Sequence, residues 1–379
     1  MNEPAYSLAP AAASIAHAFF ARHTPPVDER GGALPSLVPD SAAVVAIVDA
    51  LFWASLRREE GRSPLISLAF VPPERAGQPM MFEQSIPLAP DELTRLAPAV
   101  ERPGIHLGVW PDSGELRVWG SVRTLPDLCL VLEVVEPGLL VLKYRRGPEH
   151  GKFGNIAVLY GDGIRVVDER IPRSPDGPPL LEALLGVDAT ASWADTGNVL
   201  VQLAVSMRGH GRGGSLLVVP SGTHAWRESI VQPVGYAISP AFSRLAELLR
   251  LPPEERGRAG GWDGVRRLVD AIAGLTAVDG AAIMNDRFEV LAFGATIGRR
   301  EGHGPVEQVV VTEPVVDSVP VLLAPTQLGG TRHLSAAQFV RDQPEALALV
   351  ASQDGRFTVF AWSPSESMVH AHRIEVLLY

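Results

Sequence analysis

The sequence predicts two domains of mixed class. An N-terminal α+β domain is built on a mainly antiparallel sheet, and an α/β half follows whose mixed sheet carries helices on its faces. Three observations lead there. The 379 residues suffice for two or three domains with a large buried core, and 46% hydrophobic against 20% charged residues reads as globular. Short apolar or alternating runs succeed one another from Leu65 to Asp168, whereas helical and strand periods alternate after Asn198. Between these stretches, Pro172 to Pro179 gathers Pro, Asp and Gly and marks the boundary, giving domains 1–178 and 179–379.

The elements follow in order. Pro10 to Arg22 forms a short helix with Ile15, Ala18 and Phe19 on one side, and Thr24 to Asp40, rich in Pro and Gly, is a loop. Asp40 or Ser41 caps a stronger helix to about Arg58, with Val44, Val48, Leu51 and Phe52 at helical spacing and Arg57-Arg58 at its negative pole. Strands are then predicted at Leu65 to Val71, Ile105 to Trp110, Glu115 to Gly120 and Leu128 to Val134. Leu139 to Tyr144, Ile156 to Tyr160 and Ile164 to Asp168 continue the series, and one helix, Pro90 to Val100, interrupts it. Turns at Pro111-Asp112-Ser113-Gly114 and Gly161-Asp162-Gly163 make hairpins. The basic loop Arg145 to Lys152 is a solvated hairpin tip or a second anion site. No catalytic constellation is found in this half, and its role stays open.

In the second half, Pro179 to Leu185 is a connecting helix and Asn198 to Met207 another, with Val199, Leu200, Leu203 and Met207 spaced for burial. Arg208-Gly209-His210-Gly211-Arg212-Gly213-Gly214 precedes the strand Ser215 to Val219. It is no P-loop, because no helix and no Gly-Lys-Ser/Thr follow, and both a structural turn and a ligand contact fit it. Helices are expected at Phe242 to Leu251 and Gly264 to Leu275, and strands at Val278 to Met284 and Glu289 to Ala295. Pro305 to Pro325 inserts one or two strands, at Gln308 to Val311 and Val319 to Leu323. A helix at Ser335 to Arg341, strands at Ala346 to Ser352 and Arg356 to Trp362, and a strand-like run from Arg373 to Tyr379 complete the chain.

Composition narrows the function. A net charge of −10 gives no overall attraction for nucleic acid or acidic lipid. The single cysteine, Cys129, lies in an apolar run and allows no internal disulfide, so a reducing, cytoplasmic setting is expected. No run approaches the length of a membrane span, and the first residues do not read as a signal peptide.

Two short stretches carry chemistry. Gly329-Gly330-Thr331-Arg332-His333 opens a helix, offering backbone N–H groups, a hydroxyl, a positive dipole end and a bidentate guanidinium, a set suited to phosphate. Upstream, Asp279-Gly280-Ala281 places a carboxylate at a strand edge, where it could hold Mg²⁺ or receive a hydroxyl proton. In that order and context the two stretches resemble the DGA and GTRHR signatures of the diadenylate cyclase (DAC) domain. Arg212-Gly213-Gly214-Ser215-Leu216-Leu217-Val218-Val219 looks like that domain's opening strand, and Leu349-Val350-Ala351-Ser352-Gln353-Asp354-Gly355 resembles its later Val-Ser-Glu segment. The resemblance covers about residues 197 to 379. It implies that two ATP molecules, one on each subunit of a homodimer, are joined into cyclic di-AMP with Mg or Mn. It further implies that Asp279 serves metal and attacking hydroxyl, and that Gly280, Ala281, Gly330, Thr331, Arg332, His333, Ser352 and Gln353 bind nucleotide.

Two departures bear on activity. Leu334 stands where the family has the second Arg of Arg-His-Arg, and Gln353 stands where it has Glu. Losing one cation and one carboxylate weakens transition-state stabilisation more than ground-state binding. The pattern is similar to a degenerate DAC branch of sensor type (DACNV). Three functions are therefore open: a sensor of ATP or a cyclic di-AMP-like nucleotide with weak or no catalysis, a working diadenylate cyclase, and a non-binding dimerisation scaffold.

Overall fold

A computed structural model describes residues 4–23, 37–146, 153–168, 181, 196–258 and 260–379. The chain divides into two compact units, Met1–Val167 with Tyr379, and Asp168–Leu378. The boundary stretch Pro172 to Pro179, most of the loop Thr24 to Asp40, most of the connecting helix Pro179 to Leu185 and the tip of the Arg145 to Lys152 loop lie outside the described residues.

In the first unit, helices α1 (Ala9–His23), α2 (Ser41–Ser55) and α3 (Pro90–Val100) cover one face of an eight-stranded sheet. Its strands are β1 (Ser67–Phe70), β2 (Met80–Pro87), β3 (His106–Asp112), β4 (Glu115–Val122), β5 (Leu130–Glu136), β6 (Leu139–Arg145), β7 (Phe153–Tyr160) and β8 (Gly163–Val166), in the order β2-β4-β3-β1-β5-β6-β7-β8. Among the described residues only β1 and β3 pair in parallel, so the sheet is mainly antiparallel, as the hairpin turns predict. The α2 cap is Asp40, whose Oδ1 accepts from the Ala43 N–H at 2.7 Å. Ile47, Val48 and Leu51 of α2 are buried with Leu68, Leu107 and Leu132 of the sheet. A smaller apolar group, including Ala69, Val71, Trp119, Cys129 and Val131, covers the opposite face.

The second unit holds α4 (Thr196–Gly209), β9 (Gly214–Val219), β10 (Tyr236–Phe242), α5 (Arg244–Arg250), α6 (Pro253–Arg258), α7 (Gly261–Leu275), β11 (Ala281–Asn285) and β12 (Val290–Ala295). Strands β13 (Val309–Thr312) and β14 (Val321–Leu323), helices α8 (Pro325–Leu328) and α9 (Thr331–Asp342), and strands β15 (Leu347–Ala351), β16 (Phe357–Ser363) and β17 (Met368–Arg373) follow. The nine-stranded sheet runs β10-β12-β11-β9-β15-β16-β17-β13-β14. Pairs β9/β11 and β13/β17 are parallel and the rest antiparallel, giving the mixed sheet expected.

Alternation along β9 shows why helices flank both faces. Leu216 and Val218 are buried with Leu203 of α4 and Val269 of α7, whereas Leu217 and Val219 are buried with Ala336, Phe339 and Val340 of α9. The inserted segment adds β13 and β14 at the sheet's far edge, beyond β17. Three boundaries differ from expectation. Asp279 precedes β11 rather than lying in it, because Gly280 has φ +98°, which no extended strand residue adopts. The helix expected from Ser335 begins at Thr331. The final strand is Met368–Arg373, and Glu375–Leu377 is a 3₁₀ turn rather than part of a strand.

Candidate functional site

Strand β9 is an interior strand of the second unit's sheet, between β11 and β15, and its start sets the site. Gly213 has φ +70°, and a Cβ on Gly214 would stand 2.6 Å from the Thr276 carbonyl oxygen, so the chain passes close to the end of α7. On one side, parallel pairing of Ala281 with Ser215 brings the Asp279-Gly280 turn beside this start. On the other, antiparallel pairing of Ala351 with Gly214 brings Ser352 and Gln353 beside it. Gln353 Nε2 donates to the Arg212 carbonyl at 3.3 Å. Arg332, in the first turn of α9, carries its Nη1 to 3.0 Å from where a Cβ on Gly213 would stand. Three of the predicted stretches thus meet at one sheet end, and α9 opens onto it.

The local chemistry differs from residue to residue. Asp279 is exposed and its Oδ1 accepts from the Gly280 N–H at 3.1 Å, while Gly280 packs so closely on Gly294 that a Cβ would meet it at 2.6 Å. Ala281 is buried as the first residue of β11. Gly330 is the N-cap of α9 and no side chain caps the helix, so its positive end faces the exposed Thr331 and half-buried Arg332. His333 is only 3% exposed, with its ring 6.0 Å from that of Phe360 and in the space a Gly329 side chain would need. Burial first, and then Arg373 nearby, lower its pKa, so it is a neutral residue turned inward rather than toward the open end. Ser352 closes the β15–β16 hairpin through its N–H to Arg356 O and its carbonyl from Gly355 N–H. Leu334 is 37% exposed, an apolar side chain where a cation was expected.

Residues around the glycine-rich loop complete the set. Arg208 Nε donates to Gly355 O at 2.9 Å, and Arg356 Nε lies 3.4 Å from Asp354 Oδ2. His210 Nδ1 accepts from the Arg212 N–H at 3.2 Å and its Nε2 faces Thr276 Oγ1 at 3.3 Å, while Thr276 Oγ1 donates to Ala273 O. That chain of donors assigns the Nε2–H tautomer and fixes the loop on α7. Burial, then Arg212, lower the His210 pKa. Arg208 lies in the loop for which the sequence left a ligand contact open, and its bond to Gly355, 147 residues later, is invisible to sequence spacing; Arg356 is not singled out by the sequence.

A divalent ion fits this end poorly. Asp279 is the carboxylate at the strand end, Asp354 lies 3.4 Å from Arg356, Gln353 is neutral, and among the described residues no group of three or more His, Cys, Asp or Glu is placed to hold a metal. An ion here would rest mainly on substrate phosphates.

A family model described as a probable sensor domain, DACNV, matches residues 34–123. That stretch runs from before α2 to the end of β4, within the first unit, where the sequence showed no catalytic constellation. No curated protein matches the chain. Among the described residues no helix is long and apolar enough to cross a membrane.

Proposed function

We propose that the second unit binds a purine nucleotide or cyclic dinucleotide at the start of β9, and that the protein is a sensor with weak or no cyclase activity. The carrying observation is the convergence of the Arg212 to Gly214 turn, the Asp279-Gly280 turn, the Ser352-Gln353 end and Arg332. Uncapped helix N–H groups, a guanidinium and close-passing glycine backbone suit a phosphate group. The family match to a probable sensor domain in the same chain supports the sensing half of this reading. Leu334 and Gln353 favour binding over catalysis, since each removes a charge that phosphoryl transfer uses.

The cyclase reading rests on Asp279, the carboxylate on which the attacking hydroxyl would depend. In it, a homodimer would bring two ATP molecules face to face, and Asp279 is the residue that would hold Mg or Mn, whose role would be to neutralise phosphate charge. Calorimetric titration of the full chain with ATP and with cyclic di-AMP, beside product analysis with Mg²⁺ or Mn²⁺, separates the readings. Saturable binding with little product supports the sensor. Robust cyclic di-AMP synthesis abolished by Asp279→Asn would replace it with the cyclase, and no binding of either nucleotide would leave the scaffold.

A further inference from the structure

Strand β2 is one of the two edges of the first unit's sheet, and its pairing with β4 slips. Met81 stands opposite Gly120 and Ile86 opposite Val118, so five steps along β2 answer two along β4. The surplus residues Phe82 to Ser85 form an irregular arch, and such bulges re-aim side chains at strand edges and beside binding sites. Between this arch and the β3–β4 hairpin lies a cleft of about 860 Å³, within the range of small-molecule sites. Every residue lining it falls within residues 34–123.

The lining is aromatic and acidic. Met81, Phe82 and Trp110 supply apolar and aromatic surface, Met81 being 59% exposed, and the 6% exposed Trp119 backs them from the interior. Trp119 lies across Gly108, where a Cβ would come within 2.1 Å of its ring, and its Nε1 donates to Val71 O at 2.8 Å. Its one polar atom is thereby used within the fold. Glu83, Asp112 and Glu115 supply three carboxylates against one guanidinium, Arg117. That cation is engaged: Nε donates to Ser85 Oγ at 2.8 Å, Nη2 to Ser85 O at 2.7 Å, and Nη1 lies 3.9 Å from Glu115 Oε2. Arg117 therefore holds the arch in place, and the surrounding field is negative.

We propose that this cleft is a binding site for a small organic cation, an amine or quaternary ammonium carried on an apolar or aromatic body. Tryptophan and phenylalanine faces attract such cations and exclude carboxylates, and a rim of carboxylates adds to the preference. An anion or phosphate ester would meet three carboxylates and a guanidinium already held by the backbone. The assignment is independent of the nucleotide reading, because it uses neither residues nor charges of the second unit.

The test titrates the full chain at low salt with benzyltrimethylammonium, benzyl alcohol and benzoate, followed by calorimetry and tryptophan fluorescence. The cation should saturate one site, the neutral probe should bind at least about tenfold more weakly, and benzoate should not bind. The double variant Glu83→Gln with Glu115→Gln changes exposed side chains, so the fold should persist by circular dichroism. It should weaken the cation about tenfold or more. Trp110→Leu should weaken it similarly while leaving Arg332-dependent nucleotide binding untouched. Equal affinity for all three probes, absence of saturation, or unchanged affinity in the glutamine variant would overturn the proposal.

Discussion

The Arg332 guanidinium and Gly213 are packed so closely that a single methyl group on the glycine would stand 3.0 Å from Nη1. Gly213 also sits at φ +70°, so Gly213→Ala combines a backbone strain of about 1 kcal/mol with displacement of the guanidinium. Nucleotide affinity should fall about tenfold, and the loss should vanish in an Arg332→Ala background, because the two changes act through one side chain. A double-mutant cycle on binding reads this directly. Additive losses would place the effect of Gly213 elsewhere.

Arg332→Ala alone should cost about 1.5–3 kcal/mol of binding, the worth of charge-assisted bonds to a phosphate. Arg332 is half-buried in the first turn of α9, so the melting temperature should change little if the side chain lines an open end. Titration and a thermal melt on one preparation check both halves. Unchanged affinity with a large drop in melting temperature would make Arg332 a structural residue.

Restoring the two missing charges is the sharper test of catalytic competence. Leu334 and Gln353 are both exposed, so Leu334→Arg with Gln353→Glu should retain the fold, although the glutamate gives up the bond to the Arg212 carbonyl and must turn toward solvent. If charge loss limits the reaction, product formation with Mn²⁺ should rise by tenfold or more, about 1.4 kcal/mol in barrier. Chromatographic assay of cyclic di-AMP measures it. No gain, in a variant that still binds ATP, would place the limitation in geometry.

Gly108 and Trp119 should set the stability of the first unit. A Cβ at 108 would stand 2.1–2.2 Å from two ring atoms of an indole that is 6% exposed, so something must shift. Gly108→Ala should destabilise by about 2–3 kcal/mol, as other forced overpackings do. Urea denaturation followed by tryptophan fluorescence gives the number, and a cost below about 0.5 kcal/mol would show that the ring moves freely.

Acid should weaken both units. Burial, the largest cause, lowers the pKa of His106 to about 4 and that of His372 to about 3. Each takes up its proton on unfolding once the pH drops below the ordinary value of about 6.5, which favours the unfolded chain. The stabilising state is fully present above that pH and is lost toward the folded pKa, with an effect of about 3 kcal/mol at pH 4 for a shift like that of His106. Glu133 works in the same direction: burial opposes its ionisation, but Lys143 outweighs that and keeps its pKa low. Urea midpoints should fall between pH 7.5 and pH 5, and an unchanged midpoint would contradict the assignment.

What could be read from sequence depended on contrast. Helix α2 was legible because Val44, Val48 and Leu51 recur at helical spacing beneath an Asp cap. Edge strands β2 and β10 were missed because most of their residues are exposed, leaving no alternation to see. In β17, His370 and His372 are buried like Val369 and Ala371, so both strand faces are interior and a period of two is erased. The paired motifs of the second unit were legible as types and order. The network tying His210 to Thr276 and Arg208 to Gly355 was not, because it depends on which loops the sheet brings together.

The union of Gln353 with Arg212, 141 residues earlier in the chain, has a consequence for biosynthesis. As the polypeptide leaves the ribosome, the glycine-rich turn and Asp279 emerge well before Arg332, and Ser352 with Gln353 come last. Until β15 pairs with β9, the early strand end has its acid and its glycines but lacks the Gln353 amide that bonds the Arg212 carbonyl. If the second unit binds nucleotide as proposed, chains stalled before β15 should bind it more weakly than completed ones, because the strand end is then unfinished. Such long-range closure is slow relative to hairpin and helix formation. The strand end is thus completed only by the last-made part of the sheet, so its geometry reports that the second unit has closed.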